Sequence, residues 1–128
     1  MRVFTNGCFD ILHKGHVELL AYCKSLGQVT VGLNSDESVK RLKGISRPMN
    51  TEIDRKRILE ALRYVDEVVI FQEDTPYNLI TKLKPDLIVK GGDYRPNEVI
   101  GSDICEVRIF NTLNGYSTTS LINRIISK

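Results

Sequence analysis

Arg2-Val3-Phe4-Thr5-Asn6-Gly7-Cys8-Phe9-Asp10-Ile11-Leu12-His13-Lys14-Gly15-His16 opens the chain as a strand, a loop and the first turn of a helix. Arg2 to Thr5 has the apolar make-up of a strand, and Asn6 to Asp10 interrupts it. From Lys14 to Leu26, the residues Val17, Leu20, Cys23 and Leu26 recur at helical spacing, and Gly27 stops the helix. Gln28 to Leu33 then reads as a second strand. A strand, a helix and a strand in this order predict parallel pairing through a right-handed crossover.

The remaining sequence repeats the alternation. Ser35 caps a short helix carrying Val39 and Leu42, and Lys43 to Asn50 is a loop marked by Gly44 and Pro48. Thr51, with Asp54 three residues on, starts a longer helix with the apolar stripe Ile58, Leu59, Leu62 and Val65. Asp66 to Phe71, Leu87 to Lys90 and Glu106 to Phe110 are further strands. Pro76 opens a helix with Leu79, Ile80 and Leu83, and Ser117 caps a last helix whose apolar face is Leu121, Ile122, Ile125 and Ile126. The expected fold is α/β: one Rossmann-like, doubly wound parallel sheet of five strands with flanking helices, spanning residues 1–128 as one domain. Such sheets bind ligands beyond the carboxyl ends of the strands, near the point where strand order reverses. The loops after the first, fourth and fifth strands are therefore where a site is expected.

Composition narrows the functional classes. At 41% hydrophobic and 27% charged residues the 128-residue chain resembles a soluble globular protein. Its formal charge of +2 is too small to argue for nucleic-acid or membrane binding. No apolar run approaches a membrane span, and the strand-like N-terminus predicts no signal segment. Cys8, Cys23 and Cys105 have no metal-type spacing, and reduced thiols in a cytoplasmic protein are the simplest reading.

His13 and His16, the only two histidines, lie where the first helix begins. Three residues apart, they can point to one side. A helix start offers unpaired N–H groups and a partial positive charge, which suit phosphate, and Gly15 lets an anion approach the backbone. The competing reading makes His13 a local cap and His16 a core residue. Arg55 and Arg63, eight residues apart, would share a face of the third helix and need anions, unless they snorkel or pair with Glu52 and Asp66. Ser117, Thr118 and Thr119 at the last helix start can cap it or bind phosphate oxygens. Lys43 ends the short second helix, where a cation suits the helix dipole. Gly91, in Lys90-Gly91-Gly92-Asp93-Tyr94, would let a base or sugar approach, and Asp93 can accept from a hydroxyl. Asp10 caps the helix, orients a histidine or helps to hold Mg²⁺; the sequence leaves these open.

The run Gly7-Cys8-Phe9-Asp10 followed by His13-Lys14-Gly15-His16 resembles the signature of the cytidylyltransferase-like nucleotidyltransferases. Arg63-Tyr64-Val65-Asp66-Glu67-Val68 resembles their second motif, and Ser117-Thr118-Thr119 their last. Nearly the whole chain is similar to the adenylyltransferase half of the bifunctional heptose kinase/adenylyltransferases of lipopolysaccharide-precursor synthesis. Ser38-Val39-Lys40-Arg41-Leu42-Lys43-Gly44, Arg47-Pro48 and Pro85 through Tyr94 carry that likeness. Glycerol-3-phosphate cytidylyltransferase is a more distant relative; an arginine there is replaced here by Thr112, which counts against cytidine.

The resemblance implies transfer of AMP from ATP, with Mg²⁺, to heptose 1-phosphate. CTP with an alditol phosphate, or a non-catalytic nucleotide-binding module, are the alternatives. It implies that His13, His16, Lys43 and Arg63 act on the phosphates. Asn6, Gly7, Cys8, Phe9, Asp10, Gly15, Arg55, Gly91, Asp93, Ser117, Thr118 and Thr119 would bind the nucleotide. It also implies a homodimer, with the Arg63 motif near the subunit contact, and a sugar kinase on a separate chain.

Overall fold

A computed structural model describes residues 1–111 and 118–127, without the side chains of Thr118 and Ser120. Five parallel strands form one sheet: β1 (Arg2–Gly7), β2 (Gln28–Asn34), β3 (Glu67–Phe71), β4 (Leu87–Gly91) and β5 (Glu106–Phe110). Their spatial order is β3-β2-β1-β4-β5. The chain winds outward from β1 to β3, then returns to the other side of β1 for β4. The reversal therefore lies between β1 and β4, and the expected doubly wound architecture holds.

The helices are α1 (Lys14–Leu26), α2 (Asp36–Lys43), α3 (Glu52–Glu60), α4 (Tyr77–Leu83) and α5 (Thr118–Ile126), with a 3-10 turn at Pro96–Glu98. Ser35 and Thr51 cap α2 and α3 as their side-chain chemistry predicts, accepting from the N–H groups of Ser38 and Asp54. Alternate residues of the central strands serve opposite faces. Val3, Leu87 and Val89 join Val29, Val31 and Leu33 over Leu19, Leu20 and Cys23 of α1 and Leu59 of α3. Phe4 and Ile88 point the other way, into a smaller cluster with Ile80 of α4 and Val99. Gly101 permits that second cluster. Its φ is +97°, and an added Cβ would come within 2.6 Å of Ile88 Cδ1.

Two expectations are corrected. α3 stops at Glu60, and the chain continues in tight turns in which Leu62 N–H donates to Leu59 and Val65 N–H to Leu62. Leu62 and Val65 still reach the core, but Arg63 is off the helix and exposed. On α5, Leu121 and Ile122 are half-buried, whereas Ile125 and Ile126 are 65% and 76% exposed.

Candidate active site

The loop after β1 turns sharply through Phe9, whose φ of +44° is unusual for a residue with a side chain. The Phe9 ring is buried, and Gly7 leaves room for it: an added Cβ there would lie 3.1 Å from the ring. Phe9 in turn packs on the His16 ring, with centroids 5.1 Å apart.

The two histidines build the helix start together. The Nδ1 atom of His13 accepts from Gly15 N–H at 3.1 Å, and His16 Nδ1 accepts from His13 N–H at 3.3 Å. This is a reciprocal capping box made by imidazoles instead of hydroxyl and carboxylate groups. The rings stack with centroids 3.9 Å apart. Because each Nδ1 accepts a backbone N–H, each neutral ring carries its proton on Nε2. Burial lowers the pKa of His13. Burial, and secondarily His13, push His16 down to about 4. Both readings of the pair are therefore compatible: the histidines cap and pack, and their tautomer puts the ring proton of each on Nε2.

The depressed His16 pKa has a consequence for stability. Between pH 6.5 and about 4, the unfolded chain binds a proton at His16 that the folded chain refuses. Stability from this group is complete above the ordinary histidine value and declines as pH falls toward 4. In urea unfolding, wild type should lose more stability than His16→Asn between pH 6.5 and 5. Equal losses would remove His16 as the cause.

A cleft of about 610 Å³ lies beyond the carboxyl ends of the strands at the β1–β4 reversal. It gathers Asn6, Gly7, Cys8, Phe9, Asp10, His13, Gly15, His16, Lys43, Gly91 and Thr119 from the predicted set. Arg55, Arg63 and Asp93 do not line it. Ser117, together with Thr112, Asn114, Gly115 and Tyr116, lies outside the described residues. Thr118 begins α5.

Arg55 is a correction of substance. It is fully buried and spends its guanidinium on the protein. Nε donates to the carbonyl of Asn50 at 3.0 Å, Nη1 to those of Cys8 and Asn34 at 2.8 Å, and Nη2 to Asp36 at 2.8 Å. Arg55 therefore ties loops together and presents nothing to a nucleotide. Arg63 sits over the Tyr64 ring, 5.5 Å from its centroid. Asp10 is likewise committed: its carboxylate accepts from the N–H groups of Met49 and Asn50, at 2.8 to 3.0 Å. These contacts fasten the loop before α3.

Sequence reading missed two cations. Arg47 lines the cleft and donates to Thr119 Oγ1 at 3.2 Å, linking the loop after α2 to the start of α5. Lys90 lines the cleft from the end of β4. A lysine closing an apolar parallel strand was the available signal for Lys90. For Arg47 it was a basic residue within a Gly-to-Pro loop.

The pattern of the cytidylyltransferase-like family matches residues 4–124. The chain belongs to the cytidylyltransferase-like family. Among relatives of this cytidylyltransferase-like chain, a bifunctional protein HldE of Campylobacter concisus is 62% identical over 96% of the chain. A bifunctional protein HldE of Nitratiruptor is 59% identical over 98% of it. The chain covers only 26% and 28% of these two relatives, about a quarter of their length. A lipopolysaccharide core biosynthesis protein from Thermoplasma volcanium has a similar structure, with a TM-score of 0.73 and 30% identity. That similarity covers 91% of this chain and 98% of the other. No described helix is long and apolar enough to cross a membrane.

Proposed function

We propose that the chain transfers AMP from ATP to a sugar 1-phosphate, most specifically heptose 1-phosphate, and releases pyrophosphate. One observation carries the reading. In the cleft at the sheet's reversal, two neutral imidazoles with Nε2 protons share one space with Lys43, Arg47 and Lys90. Such a set suits a reaction that brings two phosphorylated substrates together and moves charge between their phosphates.

An oxygen of the acceptor phosphate forms a bond to the α-phosphorus. The bond from α-phosphorus to the bridging oxygen of the β-phosphate breaks, and pyrophosphate leaves with that electron pair. A sugar phosphate is largely dianionic near neutral pH, its second pKa being roughly 6, so no general base is required. The protein's work is to position the reactants and stabilise charge on the transferring and leaving oxygens. His13 and His16 donate from Nε2, and Lys43 supplies positive charge. The start of α5, with Thr118 and Thr119, completes the nucleotide contacts together with Asn6, Gly7, Cys8, Phe9, Gly15 and Gly91.

Mg²⁺ is proposed to arrive with the triphosphate. The described residues contain no group of three or more His, Cys, Asp or Glu able to hold a metal ion, and the Asp10 carboxylate is already engaged. Phosphate oxygens and water would hold the ion, as is common for Mg²⁺.

Identity of 62% to a protein named HldE supports the heptose assignment, as does likeness to a protein named for lipopolysaccharide core biosynthesis. The proposal also places residues 1–128 in one cytoplasmic domain, with the sugar kinase activity outside these residues. It includes a homodimer, in which a second copy would cover exposed Ile45, Met49 and Ile53 and bring Arg63 to the subunit contact. Sedimentation at micromolar concentration tests the dimer, and a monomer alone would oppose it. The reaction is tested by pyrophosphate release with ATP or CTP against heptose 1-phosphate or glycerol 3-phosphate. Higher kcat/KM for ATP with heptose 1-phosphate is expected. Preference for CTP and glycerol 3-phosphate would move the chain to the cytidylyl branch. No release with any pair would leave a nucleotide-binding module.

A further inference from the structure

A second cavity of about 220 Å³ adjoins the main cleft and shares Asn6, Pro76, Lys90, Tyr94 and Ile100 with it. Its position follows from strand periodicity. Phe4 and Ile88 face the α4 side of the sheet, and two residues on, Asn6 and Lys90 emerge on that side where the strands end. Val99 closes the back, held by the turn that Gly101 allows against Ile80 and Ile88. The volume is below the roughly 300–1,000 Å³ typical of pockets for drug-sized ligands. It matches a sugar-sized fragment better than a whole nucleoside triphosphate.

The lining is chemically uneven. Lys90 is half-buried, its ammonium lies 5.6 Å from the centroid of the Tyr94 ring, and no carboxylate pairs with it among the described residues. A cation withdrawn from water without a counter-charge favours an anionic ligand. Burial first, and the Lys43 charge as well, lower its pKa, which marks the strain of holding that charge there. Glu98 also lines the cavity, in a loose, exposed ion pair with Arg95 at 3.6 Å. Its carboxylate can accept from hydroxyls, as can the Asn6 amide oxygen. A cation, an aromatic face and hydroxyl acceptors in one small cavity suit a phosphorylated polyol.

We infer that this side cavity is the acceptor subsite, in which Lys90 binds the attacking phosphate while Tyr94 and Glu98 hold the sugar behind it. The inference rests on the reaction proposed above and adds which wall of the cleft receives which substrate. The acceptor phosphate would then enter from the β4 side and the triphosphate from the α1 side, placing the reacting oxygen and α-phosphorus between Lys90 and the histidines.

The test uses Lys90→Met, Lys90→Arg and Glu98→Gln in pyrophosphate release, with KM measured separately for ATP and heptose 1-phosphate. Calorimetric binding of heptose 1-phosphate without nucleotide is measured in parallel. Lys90→Met should raise the acceptor KM and Kd about 10- to 100-fold, the range for losing one charge-assisted hydrogen bond. The ATP KM should stay within about twofold. Lys90→Arg should recover most of the loss, and Glu98→Gln, on an exposed turn, should weaken the acceptor alone by several-fold. An effect confined to the ATP KM would assign Lys90 to the triphosphate and overturn the subsite. So would unchanged acceptor binding in both Glu98→Gln and folded Lys90→Met. Wild-type turnover with unaffected variants defeats the subsite and leaves the reaction standing. Lys90-dependent acceptor binding without any wild-type turnover defeats the reaction and leaves the subsite standing.

Discussion

His16→Ala is expected to lower turnover about 10²–10³-fold, the range for removing one preorganised donor to a transition state. The donor is preorganised because His16 Nδ1 is held by His13 N–H and its ring is packed between His13 and Phe9. Little reorganisation remains for the moment of reaction. The same substitution also removes half of the capping box, so some loss of stability, about 1 kcal/mol, is expected with it. His16→Asn separates the two effects. It can return an acceptor to the helix start but has no reach for a second donor. It should melt close to wild type at neutral pH and still lose most of the rate. Near-wild-type turnover in either folded variant would remove His16 from the chemistry.

The largest effect on stability is expected from Arg55→Met. The substitution leaves the Asp36 carboxylate without its partner and strands the buried carbonyl of Asn34 and the part-buried carbonyls of Cys8 and Asn50. Breaking a buried pair by removing one member costs about 3–5 kcal/mol, a large share of the roughly 5–15 kcal/mol that holds a typical domain together. Arg55→Lys should recover little, since one ammonium cannot match the planar set of donors that serves four acceptors. Urea unfolding measures the effect. A variant that unfolds within about 1 kcal/mol of wild type, yet shows a raised ATP KM, would return Arg55 to the role of nucleotide ligand.

Arg55 also marks where sequence reasoning runs out. Strand and helix periods are local, so Arg2 to Leu33 was enough to announce a parallel sheet, and its first loop carried the histidine pair. The duties of an arginine depend on which loops meet around it. Its acceptors come from positions 8, 34, 36 and 50, and nothing in the spacing of Arg55 and Arg63 reveals them. The supposed common face of those two arginines failed for a geometrical reason. Leu62 and Val65 continue an apolar pattern, but tight turns after Glu60 deliver them to the core and rotate Arg63 outward. Lys90 was hidden in plain view at the end of an apolar strand. Its meaning required the strand order, which places β4 beside β1 at the reversal. The last motif, at Ser117, falls outside the described residues.

The fastening of the loop before α3 has a kinetic meaning. Asp10 grips the amides of Met49 and Asn50, and Arg55 grips the Asn50 carbonyl from the other side. That wall of the cleft surrendered its conformational freedom when the chain folded, so an arriving ligand has no ordering of this segment to finance. Encounter then does not have to wait for this segment to assemble. Differences in affinity among competing triphosphates should accordingly be written in how long each one stays.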